Sequence, residues 1–240
     1  MKFSRFLIKF AILIGGISAL IQYIRSKRIP DDRIFVNGFV EPGWENVKEV
    51  FRENFAKNWE RDGAALAVYY KGKPVVDLWG GFADLASERK WKEDTMSIAF
   101  SSTKAIGALC IALLIDRGNL QFNEKLVNFW PEFGKYGKDV ITVEMIMAHT
   151  AGLAHLDEPI TFEDAQNHER MSEIIENQKP HWNPGEKTGY HAVAYGWIVD
   201  QIVRRVDPKK RSIGTFFREE IAVPNGNVLQ NFGQEKHKKN

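Results

Sequence analysis

The sequence predicts an α+β protein, in which an antiparallel hairpin is followed by a cluster of helices. Two β-rich runs, 64–70 (AALAVYY) and 74–79 (PVVDLW), are joined by 71–73 (KGK), which is typical of a hairpin turn. Residues 103–117 are apolar on nearly every face, which predicts a buried helix. The hydrophobic content of 44% and aromatic content of 12% are those of a packed globular protein.

The other elements follow in order along the chain. Residues 30–45 contain two prolines and two glycines and are interpreted as an entry loop. Apolar residues at helical spacing then predict an amphipathic helix at 44–61. After the buried helix, we expect a short helix at 142–148, with a threonine as its N-cap, and two further helices at 161–178 and 191–206.

The N-terminal residues 6–24 (FLIKFAILIGGISALIQYI) are almost entirely apolar. As a helix they would extend roughly 28 Å, close to the thickness of the hydrocarbon core of a bilayer. We therefore expect a single-pass membrane protein that is anchored through this segment. A signal peptide with a weak cleavage site at 17–19 and a mitochondrial presequence remain open, so the secretory pathway and the mitochondrion are not distinguished.

The charge of the chain is unevenly distributed. The net charge is +2, but the residues at both ends are basic, and 34–233 contain 23 basic and 28 acidic side chains. This mildly acidic body gives no reason to expect nucleic-acid binding. We divide the chain into an anchor or signal segment at 1–29, a main domain at 30–223 and a divergent basic tail at 224–240.

Neither a cofactor nor a metal ion is expected from the sequence. The single cysteine, Cys110, lies in an apolar run and is interpreted as a buried, unreactive thiol. Five histidines lie between positions 149 and 191, but they show no H-E-x-x-H or other metal-binding spacing. The sequence also lacks G-x-S-x-G, which argues against an α/β-hydrolase.

We expect the chemistry of the chain at Ser101 and Lys104, at the start of the predicted buried helix. A separation of three residues places both side chains on the same helix face. A serine hydroxyl is a weak nucleophile until a neighbouring base takes its proton, and the positive end of a helix stabilises an oxyanion beside it. The pattern alone is weakly specific, because an N-cap serine followed by an exposed lysine gives the same spacing.

Four segments together are more specific than this pair. They are 75–81 (VVDLWGG), 101–104 (SSTK), 147–153 (MAHTAGL), and the P-G turn at 184–185 that is followed by Tyr190. In this order they resemble the serine β-lactamase-related family, which includes class C β-lactamases, D,D-peptidases and related carboxylesterases, over about residues 40–223. The resemblance implies a β-lactamase/transpeptidase-like fold, in which a helical cluster lies beside an antiparallel sheet.

The resemblance also assigns roles to individual residues. Ser101 would be acylated, Lys104 would accept its proton, and Tyr190 would relay protons to the leaving group and the deacylating water. As a base, Tyr190 needs a lowered pKa, which a nearby ammonium group would favour. His149 would be structural, in a block that shapes the wall of the site.

The sequence departs from the family pattern at two places. Ala192 stands where the lactamases and peptidases usually have asparagine, which favours esters or peptides over β-lactams as substrates. The third motif, a K-T-G or H-x-G triad on a strand well after the tyrosine, is missing, because 187–189 (KTG) directly precede Tyr190. The resemblance therefore implies an incomplete sheet, of which only the hairpin 64–79 is present.

These observations lead to two alternative functions. The first is a serine hydrolase that acts through an acyl-enzyme on a small-molecule or peptide substrate with an ester or amide bond. The second is a catalytically inactive, C-terminally truncated family member that binds or assembles with other proteins. An open sheet edge invites self-association in either case.

Overall fold

The computed structural model describes residues 34–226 and the isolated Gly16. Most of the predicted basic tail, from residue 227 onward, lies outside the described residues. The chain divides into two compact units, with the boundary between Ser97 and Ile98. Among residues 34–97, the first unit contains an antiparallel sheet and one helix, and the described part of the second unit is helical, which confirms the predicted α+β class.

The sheet of the first unit is organised around one long strand. β3 (Lys73–Asp84) pairs with β1 (Val36–Val40) on one side, with β2 (Gly63–Tyr70) on the other, and with the short β4 (Arg89–Lys90) near its end. The helix α1 (Glu45–Ala56) connects β1 to β2. Its Phe51 and Phe55 are buried in one cluster with Val76 and Leu78 of β3, and this cluster is the core of the unit.

The predicted hairpin is confirmed, but the sheet has more strands than expected. Residues 36–40, which the sequence suggested to be a loop, form the edge strand β1. Gly38 allows this pairing, because a Cβ atom there would lie 1.9 Å from the carbonyl oxygen of Asp77 on β3. Its φ of +99° is also one that side chains rarely tolerate. This glycine therefore marks a close strand contact and not a turn.

The second unit is built from six α-helices among the residues that the structure describes. They are α2 (Thr103–Asp116), α3 (Val143–Met147), α4 (Phe162–Gln166), α5 (His168–Asn177), α6 (Ala194–Val206) and α7 (Ile213–Phe217). Short 3₁₀ segments lie at Phe100–Ser102, Leu126–Asn128, Pro131–Val140 and Val223–Asn225, and a π-helical turn lies at Arg218–Ala222.

The second unit has its own core, in which α2 packs against α6. Gly107 of α2 faces Tyr195 and Val199 of α6, so the two helices approach closely at this point. Cys110 is fully buried, and burial raises the pKa of its thiol to about 12, as expected of an unreactive cysteine. The predicted buried helix is confirmed, although Leu109 on it is exposed.

The helix predicted at 161–178 is two helices in the structure. The side chain of Asn167 accepts hydrogen bonds from the N–H groups of Glu169 and Arg170, which caps α5 and separates it from α4. An asparagine in this position starts a new helix because it satisfies amides that have no partner inside the helix. Thr142 caps α3 in the same way, as predicted.

A buried lysine closes the C-terminal end of α5. Lys138 is fully buried, and its Nζ donates to the carbonyl oxygens of Ile175, Glu176 and Gln178 at 2.7–2.8 Å. Burial lowers the pKa of Lys138 to about 7, whereas the three acceptors favour the ammonium form, since only this form has three protons to donate. The lysine thus binds carbonyls that the end of a helix leaves without intrahelical partners.

The prediction of a single-pass membrane protein is corrected here. No helix in the described part of the chain is long and apolar enough to cross a bilayer. The longest of them, α2, has 14 residues and extends about 21 Å, which is shorter than the hydrocarbon core of a bilayer. Apart from Gly16, the predicted anchor at 6–24 lies outside the described residues.

Candidate active site

Ser101 lies in the 3₁₀ turn Phe100–Ser102, which leads directly into α2. The preceding residue, Phe100, has a φ of 43°, in the left-handed region that a bulky side chain rarely adopts. Backbone strain of this kind is concentrated at functional sites, where the surrounding structure holds a residue in a required position. Here it accompanies a serine that is exposed at the start of a helix.

Lys104 lies one turn further along and contacts Ser101. Its Nζ is 3.2 Å from Ser101 Oγ and donates to the carbonyl oxygen of Ala192 at 2.8 Å. Nζ also lies 4.8 Å from the centre of the Tyr190 ring. At the position where the family pattern usually has asparagine, the main-chain carbonyl of Ala192 provides the contact with the lysine.

Tyr190 completes this group and is 53% exposed. Hydrogen bonds from Ser101 and then from Lys104 lower the pKa of the Tyr190 phenol, and the positive charge of Lys104 adds to the effect. A phenolate that is stabilised in this way can accept a proton from the serine hydroxyl. The structure therefore brings together the three residues that the sequence predicted, with each side chain in contact with the other two.

His149 holds the backbone on both sides of Tyr190. Its carbonyl oxygen accepts the Gly189 N–H at 3.0 Å, and its Nδ1 accepts the His191 N–H at 3.2 Å. The imidazole also packs edge-on against the Tyr190 ring, with centroids 4.9 Å apart. Burial and the nearby charge of Lys104 lower the pKa of His149, which favours the neutral ring that can accept at Nδ1. These contacts suit a residue that positions the tyrosine.

His191 and Gly189 fix the same segment from inside the unit. Because Nε2 of the buried His191 accepts the Leu153 N–H at 3.1 Å, its ring proton is on Nδ1, which donates to the Gly189 carbonyl at 2.6 Å. Burial lowers the pKa of His191, in agreement with a neutral ring. A Cβ atom at Gly189 would lie 2.3 Å from the indole of Trp182, so this position accepts no larger residue.

The sequence predicted the three side chains that the structure brings together, but it did not predict other contacts around them. The role of the Ala192 carbonyl could not be recognised from the sequence, because every residue has a main-chain carbonyl and this role does not depend on the residue type. The K-T-G sequence at 187–189 lies in the turn before the tyrosine, as expected, and its Lys187 carbonyl accepts the Trp182 indole N–H at 2.9 Å. The structure also places His155, Asp157 and His181 together, which no local spacing indicated.

Comparisons with known proteins show the family to which this chain belongs. A family model described as beta-lactamase matches residues 51–234. The esterase/beta-lactamase LipL of Mycobacterium tuberculosis is 37% identical over 195 residues, which are 81% of this chain and 44% of that protein.

Two solved structures share the fold. A penicillin-binding protein homolog from Caulobacter crescentus has a TM-score of 0.75 and 38% identity, covering 80% of this chain and 51% of that one. A family VIII carboxylesterase has a TM-score of 0.75 and 34% identity, covering 80% of this chain and 52% of that one. This chain thus spans about half the length of the relatives that it matches. The resemblance and the β-lactamase/transpeptidase-like fold predicted from four short motifs are confirmed, and the chain belongs to the beta-lactamase family.

Proposed function

We propose that this chain is a serine hydrolase that forms an acyl-enzyme at Ser101 and acts on carboxylic esters. The observation that carries the proposal is the hydrogen bond from Lys104 Nζ to Ser101 Oγ, with the Tyr190 ring 4.8 Å from the same Nζ. All three residues lie in the unit that begins at Ile98. Membership of the family supports a hydrolase, and the similarity to an esterase/beta-lactamase and to a carboxylesterase supports ester substrates.

In the first step, Ser101 Oγ attacks the ester carbonyl carbon while its proton passes to the Tyr190 phenolate. Lys104, as an ammonium group, donates to both of these oxygens and to the Ala192 carbonyl, so it stabilises the phenolate before the transfer. In the order implied by the family resemblance, Lys104 takes the proton first. The 3.2 Å contact between Nζ and Oγ is compatible with both orders.

In the second step, the tetrahedral intermediate breaks its bond to the alcohol oxygen, which takes the proton from Tyr190. Water then gives a proton to Tyr190 as it attacks the acyl carbon. When this second tetrahedral intermediate breaks its bond to Ser101 Oγ, the serine oxygen takes the proton back from Tyr190. The carboxylic acid is released, and the Ser101 hydroxyl and the Tyr190 phenolate are restored. The positive end of the α2 dipole lies beside Ser101 in the sequence, where it favours negative charge on the carbonyl oxygen.

The surroundings of Ser101 suit a substrate with an apolar acyl group. Three exposed apolar residues lie near these residues in the sequence. Ile98 and Phe100 are within three positions of Ser101, and Val193 directly follows Ala192. Apolar side chains of this kind bind the apolar parts of small ligands. Ala192 has no side-chain amide to bind the amide of a β-lactam or a peptide, which favours an ester.

The proposal is tested by reacting the purified chain with a fluorophosphonate and measuring the intact mass. We expect one adduct per chain, mapped to Ser101 by peptide analysis, and faster hydrolysis of p-nitrophenyl butyrate than of a chromogenic cephalosporin. A folded chain that forms no adduct would contradict the proposal and favour the non-catalytic alternative. Faster turnover of the cephalosporin would overturn the assignment of esters.

The role of Tyr190 predicts a specific pH dependence. Because the reactive form is the phenolate, the rate of labelling should rise about tenfold per pH unit and level off below the ordinary tyrosine pKa of about 10. In Tyr190→Phe the rise should disappear, and the rate should fall by about 10²- to 10⁴-fold. Second-order rate constants of fluorophosphonate labelling, measured across the alkaline range, check both expectations.

Tyr195 offers a matched control for this measurement. It is buried near the same lysine, with Nζ 5.9 Å from its ring, and burial raises the pKa of Tyr195 to about 12. Its hydroxyl makes only long contacts, at 3.5 Å to the Lys104 carbonyl and 3.7 Å to Met147 Sδ. Tyr195→Phe should therefore keep the pH profile of the unmodified chain. An unchanged profile in Tyr190→Phe would show that another group takes the proton.

A further inference from the structure

A second group of reactive side chains lies in two loops of the helical unit. His155 and Asp157 follow the 147–153 block, and His181 follows the end of α5. The distance from Asp157 Oδ1 is 3.3 Å to His155 Nε2 and 3.9 Å to His181 Nε2. One ligand atom from each of the three residues lies within 4.8 Å of the other two.

The 3.3 Å distance is that of two ligands in a zinc site, and the other two distances would shorten when an ion binds. A tetrahedral zinc ion has nitrogen and oxygen ligands at about 2.0–2.1 Å, so two ligands of the same ion are about 3.3 Å apart. Two imidazoles and one carboxylate form a common ligand set for this ion. We propose that His155, Asp157 and His181 bind a divalent metal ion of the zinc type. The side chains of His155 and Asp157 are 65% and 64% exposed, so water can occupy the fourth position.

A buried residue holds the carboxylate in the orientation that such a site needs. Gln178 is only 4% exposed, its Nε2 donates to Asp157 Oδ2 at 2.8 Å, and its Oε1 accepts the Asp157 N–H at 2.7 Å. The hydrogen bond from Gln178 thus fixes Asp157 Oδ2, and the other carboxylate oxygen, Oδ1, faces the two imidazoles. Partners of this kind orient metal ligands in many proteins.

The imidazoles are also arranged for a common ligand. The rings of His155 and His181 stack with centroids 3.7 Å apart and 20° between their planes, and both Nε2 atoms lie within 4 Å of Asp157 Oδ1. Each imidazole binds a metal in its own ring plane, so one ring must turn out of the stack for both to bind the same ion. His181 Nε2 lies 3.2 Å from the carbonyl oxygen of His155. A metal ion would replace this hydrogen bond, and the His181 ring would then carry its proton on Nδ1.

The site would connect two loops that support the Tyr190 segment. The His181 N–H donates to the Gly152 carbonyl at 2.8 Å, and Trp182, the next residue, packs against Gly189. An ion shared by His155, Asp157 and His181 would therefore add a further connection between these loops. It would stabilise the folded chain, since it binds the folded state and not the unfolded state.

The test is a titration of the full 240-residue chain, without an affinity tag, with Zn²⁺ by calorimetry and with Co²⁺ by visible absorption. We expect one ion per chain, absorption bands of Co²⁺ bound to nitrogen and oxygen, and a higher melting temperature with Zn²⁺. His155→Ala and Asp157→Asn should each weaken binding at least tenfold. Since both side chains are exposed, these variants should fold, which circular dichroism verifies.

His168→Ala is the matched control, because His168 is an exposed histidine at the start of α5, outside the cluster. It should bind Zn²⁺ with the affinity of the unmodified chain. The proposal is overturned if the unmodified chain shows no saturable binding, or if His155→Ala and His168→Ala bind equally well.

Discussion

Replacing Ser101 with alanine is expected to abolish the covalent adduct with a fluorophosphonate and to reduce ester turnover at least about 10³-fold. The adduct requires an oxygen nucleophile at this position, and the hydroxyl is the group that contacts both Lys104 and Tyr190. The loss of the side chain should not impair folding, because Ser101 is exposed. Intact-mass measurement after saturating labelling, together with turnover of p-nitrophenyl butyrate, checks the prediction.

The neighbouring serine provides the control. Ser102 is also exposed and occupies the N-cap position of α2, but its side chain makes no capping hydrogen bond. Ser102→Ala should therefore retain the adduct and most of the turnover. Labelling that persists in Ser101→Ala, or that disappears in Ser102→Ala alone, would assign the nucleophile to another residue.

Replacing Lys138 with methionine is expected to lower the free energy of unfolding by about 3 kcal/mol. The methionine fills a similar volume but leaves the carbonyls of Ile175, Glu176 and Gln178 without their donor at a buried helix end. For a chain of this size, the melting temperature should fall by about 6–12 °C. Thermal and urea denaturation followed by circular dichroism measure the change.

Lys135 lies three residues earlier and provides the comparison for Lys138. Its Nζ donates to the side chain of Asn177 at the same end of α5, but this hydrogen bond is exposed to solvent. Lys135→Met should change the free energy of unfolding by less than about 1 kcal/mol. Equal effects of the two substitutions would show that burial of the Lys138 ammonium group contributes little to stability.

The fold could be predicted where apolar pattern and tertiary packing agree. The hairpin and the buried helix α2 have long apolar runs, and both were found where expected. The edge strand β1 was missed because its residues are largely exposed and its Gly38 resembles a turn signal. Its pairing depends on backbone hydrogen bonds to β3, which the sequence does not encode as a residue pattern.

The site could be predicted as far as it depends on residue types at fixed spacing. Ser101, Lys104 and Tyr190 follow a family pattern, so motif order alone was sufficient to select them. The cluster around Asp157 could not be found in this way, because His155 and His181 are brought together by the packing of two loops. Metal ligands show a recognisable spacing in the sequence only when they lie close together along the chain.

The two hydrogen bonds that His149 accepts make the state of the Tyr190 segment observable without any substrate. The amide protons of Gly189 and His191 are bound to the carbonyl oxygen and to Nδ1 of one residue, so both should exchange slowly with solvent deuterium while the segment is in place. Protonation of the imidazole removes Nδ1 as an acceptor but leaves the carbonyl unchanged. In acid, protection at position 191 should therefore be lost before protection at position 189, which separates local release of the tyrosine from unfolding of the whole unit.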